Sequence, residues 1–126
     1  MGQVNMTVRI VETPGGKIAL INSDTPLITD GQSALDFAVN IGYEYDCHSI
    51  IVNKAAITED FFKLSTGIAG EVAQKFVNYR YRLAIIGDFS VYTSKPLLDY
   101  IYECNKGRHL YFVDDEAAAI KKLGDG

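Results

Sequence analysis

Leu83-Ala84-Ile85-Ile86, followed at once by Gly87-Asp88, is the most apolar run in the chain, and its reading decides the fold. A half-solvated antiparallel strand alternates polar and apolar side chains, and this run does not. The unbroken pattern at Ser49 to Val52 is likewise that of a strand covered on both faces in a parallel sheet. Leu83 to Ile86 is expected to be the central strand, and Leu110 to Val113 the last.

The segments around these runs read as helices. Between Thr58 and Tyr79 a single helical stripe carries Phe61, Ser65, Ile68, Ala69, Val72, Ala73 and Phe76, with Glu59 and Asp60 at its N-terminal end. This is either one helix or a short turn over Glu59 to Leu64 followed by a helix from about Thr66. Ser94 caps the next helix, which has Pro96 in its first turn, Leu97, Leu98, Ile101 and Cys104 on its inner face, and Gly107 as its stop. Asp114-Asp115 opens a final helix that turns Ala117 to Ala119, Ile120 and Leu123 inward, and Gly124 to Gly126 are expected to fray. Upstream, Thr7 to Val11 alternates, Pro14-Gly15-Gly16 turns and Lys17 to Ile21 resumes, which is a β-hairpin. Thr29 and Gln32 have the spacing of a capping box for a first helix with Leu35, Ala38 and Val39 on one face, and Gly42 is placed to close it. The order β-β-α-β-α-β-α-β-α implies a single α/β domain over residues 1–126, with its core at about 6–123. Its sheet is mixed and mainly parallel, and its first strand is antiparallel.

Composition agrees with one soluble domain. The 126 residues include 12 Lys+Arg against 16 Asp+Glu, a net charge of −4, and 48% are hydrophobic, enough for a core that needs neither metal nor disulfide. An acidic chain with 22% charged residues lacks the basic face of a general nucleic-acid binder. Apolar stretches of four to six residues cannot span a membrane, and the cytoplasm is the expected location. Cys47 and Cys104 show no metal spacing and are read as packing residues.

In an open α/β sheet, ligands settle beyond the carboxyl ends of the strands. That rule selects Asn22, Ser23 and Asp24, Asn53 and Lys54, the segment from Asp88 and Ser90 to Lys95, and Asp114 with Asp115. Asp88 is either a turn former or a functional carboxylate. Ser90, Tyr92, Thr93, Ser94 and Lys95 form a hydroxyl-rich approach to a helix N-terminus, suited to a small anionic ligand. No phosphate-binding glycine loop occurs, and Gly67 to Gly70 is only a GxxG, so nucleotide cofactors are not expected. His48 and His109 each precede a strand, at the end away from this region, which leaves no base for a nucleophile. The acidic pairs Glu59-Asp60 and Asp114-Asp115 are normal helix starts and no metal site is expected. Asp88 and Glu59 would make an acid-base pair only if the fold brought them together. Lys75, Arg80 and Arg82 beside Tyr79 and Tyr81 read better as snorkelling side chains at a helix end than as a nucleic-acid surface. With 8 Tyr and 6 Phe, several rings are expected to cover a partner surface, and a homodimer is the simplest partner.

The stretch LAIIGDFSVYTSK at 83–95, the LLDYIYECNKGRHLYFVDDEAAAIKKL that follows Pro96, and the upstream PLITDGQSALDFA and ITEDFFKLSTGIAGEVAQKF resemble the bacterial family catalogued as domain of unknown function 4180. The likeness implies a small intracellular protein with no known reaction, whose recurrent polar positions are Asp60, Thr66, Gly67, Glu71, Asp88, Ser90, Thr93, Ser94 and Lys95. More distantly, the element order is similar to the STAS or anti-sigma-factor-antagonist fold, in which a Ser or Thr at the start of the second helix is phosphorylated by a partner kinase. Ser65 or Thr66 would hold that place, although Leu64-Ser65-Thr66-Gly67-Ile68 departs from that family's Asp-Ser-Ser-Gly-Leu-like run. The resulting expectation is a non-enzymatic regulatory or interaction domain acting through Thr66, Gly67 and the loop from Asp88 to Lys95. The alternative is a small-molecule binder or enzyme built on Asp88, Ser90 and Lys95.

Overall fold

Pro14 and Gly15 form a two-residue turn that sets Thr13 opposite Gly16, and from there β1 (Met6–Thr13) and β2 (Gly16–Ser23) pair antiparallel in unbroken register to Met6 opposite Ser23. The computed structural model describes residues 6–124. Beyond the hairpin come α1 (Gly31–Tyr45), β3 (Ser49–Asn53), α2 (Ile68–Tyr79), β4 (Arg82–Ile86), α3 (Lys95–Asn105), β5 (Leu110–Val113) and α4 (Glu116–Gly124). The sheet order is β1-β2-β3-β4-β5, with β2 to β5 all parallel. This is the expected class and element order. The apolar run at Leu83 is an internal strand, between β3 and β5, while β3 holds the middle.

Each parallel strand is added on the same side of the one before, so right-handed crossovers deliver α1, α2 and α3 to one face of the sheet. There Ala19, Ile21, Ile50, Val52, Leu83, Ile85 and Phe112 meet Ala34, Ala38 and Ile41 of α1, Ala69, Val72 and Phe76 of α2, and Leu97 of α3. The alternate residues Ile18, Ile51, Ala84, Tyr111 and Val113 face the other way and are covered by Ala119 and Leu123 of α4. Both faces of β3 and β4 are therefore buried, which is why their sequences do not alternate.

Several local expectations are corrected. The first helix is capped one residue later than its spacing implied: Asp30 accepts from the Ser33 N–H, and Ser33 answers Asp30. Gln32 instead bonds Asp36. Gly42 does not end that helix. It lies under Tyr81, whose hydroxyl would stand 3.0 Å from a Cβ there, and the chain turns only at Asp46, which adopts the left-handed conformation. Val39, Leu98 and Ala117 point outward rather than in, and Gly124 is buried against Thr13 as the last residue of α4 instead of fraying. Asp125 and Gly126 lie outside the described residues. Between Thr58 and α2 the second reading holds: two 3-10 turns, Glu59–Phe62 and Leu64–Thr66, precede a helix that starts at Ile68.

Of the basic residues around the start of β4, Arg82 has a structural role through its side chain and Arg80 through its backbone. Arg80 closes α2 in the left-handed conformation, with its N–H on the Phe76 and Val77 carbonyls. Arg82 donates to the Arg108 carbonyl at 2.8 Å, to the Leu123 carbonyl at 3.0 Å and to the Tyr111 hydroxyl at 3.0 Å, over whose ring it lies. It thus holds the C-terminal end of α4, where orphan carbonyls need donors and the helix dipole favours a cation. At the β5 edge, Asn105 accepts from the Phe112 N–H at 2.7 Å and donates to its carbonyl at 3.1 Å, filling a place that a further strand would take.

Replacing Arg82→Met keeps the stem and removes these bonds, and is expected to lower unfolding free energy by about 1–3 kcal/mol. Urea denaturation reads this directly, and an unchanged midpoint would show that apolar packing alone holds α4.

Candidate functional site

Lys54 leaves β3 in a 3-10 turn, Lys54–Ala56, and its aliphatic stem lies along the start of the loop after β4. A Cβ on Gly87 would stand 2.8 Å from the Lys54 Cβ, so glycine is what allows this approach. The ammonium sits 3.2 Å from Glu59 Oε1 and 5.1 Å from the centroids of both the Phe62 and Tyr92 rings. The Tyr92 hydroxyl donates to Glu59 Oε2 at 2.7 Å. Phe62 stacks on Tyr92 at 5.1 Å, Phe89 meets Phe62 at 5.9 Å, and Phe89 is edge-on to Phe112 of β5 at 5.4 Å. Phe61 and Tyr100 complete this layer around Phe112. Most of the phenylalanines thus pack on one another. The layer joins the turns after β3 to the loop after β4.

The charges beyond these strands are firmly held. The hydrogen bond from Tyr92 keeps the Glu59 carboxyl below its ordinary range, against the effect of burial and with help from Lys54. For Lys54 burial works against the charge, yet the contacts with Tyr92 and Glu59 outweigh it and hold its pKa above the usual value. Burial raises the Tyr92 phenol. Asp88 Oδ1 accepts from the Ser90 hydroxyl at 2.6 Å and from the Ser90 N–H at 3.0 Å. Those bonds, aided by the nearby charge of Lys54, keep the Asp88 carboxyl below its ordinary value.

The other candidates fall into place around this unit. Ser94 caps α3, accepting from the Leu97 N–H at 3.4 Å, and Lys95 pairs with Asp99 at 2.8 Å. Thr93 is exposed. On the facing turns the Asp60 carboxylate reaches Lys63 at 3.4 Å. The Thr66 hydroxyl lies 2.8 Å from the carbonyls of Asp60 and Lys63 and accepts from the Ile68 N–H at 3.3 Å. Gly67, at φ 79°, turns the chain into α2, and Ser65 is exposed beside it. Glu71 accepts from the Gly31 N–H at 3.3 Å, a carboxylate at the positive end of α1. Glu59 and Asp88 do not pair with each other; they share the field of Lys54.

Lys54, Glu59 and Tyr92 are the residues to which sequence reasoning gave too little weight. Lys54 and Tyr92 were visible as polar residues after strands, but their meeting joins segments 33 or more residues apart. Asn53 has a structural role: its side chain accepts from the Ser23 N–H at 2.8 Å and donates to the Ser23 carbonyl at 2.7 Å. His48 and His109 sit at the amino ends of β3 and β5, as expected, each against Tyr81. Cys47 and Cys104 are free thiols, pushed up by burial. Among the described residues no group of three His, Cys, Asp or Glu could hold a metal ion, and no helix is long and apolar enough to cross a membrane.

The electrostatics give a pH test. A carboxyl depressed in the folded state stabilises above its unfolded pKa, about 4.3 for Glu, and that contribution is lost as pH falls through the folded value. Between about pH 5 and about pH 3 the wild type should lose more stability than Glu59→Gln, measured by urea unfolding at each pH. Equal losses would mean that Glu59 is not held as described.

A family model described as a domain of unknown function (DUF4180) matches residues 13–123. No curated protein and no solved structure matches the chain. The matched stretch runs from the last residue of β1 to the penultimate residue of α4, taking in the whole Lys54 unit and both groups of candidate residues. The chain accordingly belongs to the DUF4180 family.

Proposed function

We propose that this protein is a non-enzymatic regulatory domain that binds a protein partner through the turns at 59–66 and the loop at 88–95. The observation that carries this reading is the filling of the space beyond β3 and β4 by Phe62, Phe89 and Tyr92 under Lys54. Ligand crevices in open parallel sheets form where the strand order reverses, and β2 to β5 run in sequence without a reversal. The titratable groups point the same way. A working general acid or base has its pKa moved toward the operating pH, whereas Glu59 and Asp88 are lowered and Lys54 is raised. What the region offers outward is a firm surface bearing Asp60, Ser65, Ser90, Thr93 and the exposed Val91. The distant STAS likeness fits this reading in element order and would make the surface a regulated one.

A photo-crosslinking residue placed at Val91, 65% exposed, is expected to capture a discrete protein adduct in cells, while one at Tyr43, 93% exposed on α1, is not. Adducts absent at Val91, or equal at both positions, would overturn the assignment of the face.

The second reading, a small-molecule site at Asp88, draws on one observation: an exposed carboxylate fixed by Ser90 near Lys54 at the end of β4. Asp88→Asn keeps the acceptor for Ser90 and removes the charge. A ligand from a panel of nucleotides, phosphorylated metabolites, acids and divalent metals that raises the melting temperature of the wild type but not of Asp88→Asn would favour this reading. Such a ligand at about 100 times its Kd adds roughly 2.7 kcal/mol.

A further inference from the structure

The two edges of the sheet are not equivalent. β5 is four residues long, and Asn105 occupies the backbone groups of Phe112 that face outward. β1 is eight residues long, contains no proline, and pairs with β2 without a bulge. Which of its backbone groups face outward follows from β2. Ser23 turns both its N–H and its carbonyl toward Asn53 on the β3 side. By the alternation of an antiparallel pair, Ile18, Leu20 and Asn22 then bond toward β1, where they meet Val11, Arg9 and Thr7. The N–H and carbonyl groups of Val8, Ile10 and Glu12 are left along the free edge, and no described group bonds them. Natural sheets blunt such edges with proline, bulges or side-chain caps, as β5 does here.

We infer that the edge of β1 pairs with β1 of a second copy, antiparallel about a two-fold axis, making one continuous sheet from two. The second copy is the occupant because the edge is self-complementary and closes on itself, whereas a head-to-tail β1-to-β5 contact, which would run on into filaments, is stopped by Asn105. Charge limits the register. Centring the pair on Arg9 would put two guanidinium groups face to face. Centring it on Ile10 sets Ile10 opposite its own counterpart, Val8 opposite Glu12 of the second copy, and Arg9 opposite Val11. Arg9 also stays free to keep its ion pair with Glu116. The pairing continues the apolar row of Val8 and Ile10, partly buried against the three-helix face, across the axis. The contact is independent of the face proposed above, which lies at the carboxyl ends of β3 and β4.

The test is the mass of the full chain by light scattering or sedimentation, with amide exchange by NMR. A dimer that dissociates on dilution is expected. The Val8, Ile10 and Glu12 amides should be protected in the dimer and exchange freely in the monomer, while Arg9 and Val11 are protected in both. On the backbone, Ile10→Pro removes only an outward N–H, which an edge strand tolerates, and it should give a folded monomer despite the lost side-chain packing. A wild type that stays monomeric at high concentration, with those three amides exchanging freely, overturns the inference. So does a folded Ile10→Pro dimer, which would place the contact elsewhere, or protection that appears only when an extended peptide is added. Should Ile10→Pro fail to fold, the exchange pattern of the wild type decides alone.

Discussion

The hand of the β-α-β crossover governs this molecule. With β2, β3, β4 and β5 laid down side by side in chain order, a right-handed connection has only one face on which to place its helix, and α1, α2 and α3 all stand there. The opposite face is left to whatever follows β5, a helix of nine residues. So short an element cannot hold itself by propensity or by a long apolar stripe. It is held by Ala119 and Leu123 on the sheet and by the guanidinium of Arg82, which takes up its last carbonyls from the first position of β4. A residue at the start of an internal strand thereby ties the last helix to the sheet.

The same winding order shapes the far end of the sheet. A doubly wound sheet opens a crevice where its order reverses, and this one has no such point among its parallel strands. The chain instead folds the connection after β3 into three 3-10 turns that lie over the strand ends. These turns place Phe61 and Phe62 on Phe112, and Phe62 in turn supports Tyr92 and the stem of Lys54. The result runs from dry core to solvent within a few residues: ring on ring, then cation on ring, then an ion pair with a hydroxyl bonded to it. Lys54 keeps its charge because Glu59 and Tyr92 replace the water that burial removes.

What was legible in the sequence divides along the range of the interaction that decides it. The strands at 49–53, 82–86 and 110–113 were readable because burial on both faces removes alternation, a property of each segment taken alone. The cap of α3 was readable because Ser94 and Pro96 act within one turn. The cap of α1 was misplaced by one residue because Thr29 and Asp30 both have capping side chains, and the choice between them depends on where the chain enters after Ile28 pairs with Ile57. Gly42 has the look of a helix stop because its tertiary neighbour Tyr81 is invisible locally. The site divides in the same way. Asp88 with Ser90 is a two-residue matter, but the meeting of Lys54, Glu59 and Tyr92 depends on the sheet register that sets β3 beside β4.

Ser65 and Thr66 are adjacent and chemically alike in the sequence, and the fold makes them unequal. The Thr66 hydroxyl sits on two carbonyls and an N–H at the point where the 3-10 turn hands over to α2, just before the left-handed Gly67. Its oxygen belongs to the turn, and any group attached to it displaces those bonds at the start of the helix. Ser65 stands one position earlier, exposed, and the turn does not rely on its side chain. A charge added at Thr66 therefore acts by opening the turn, whereas a charge added at Ser65 changes only the surface that the turn presents, ahead of the first N–H groups of α2.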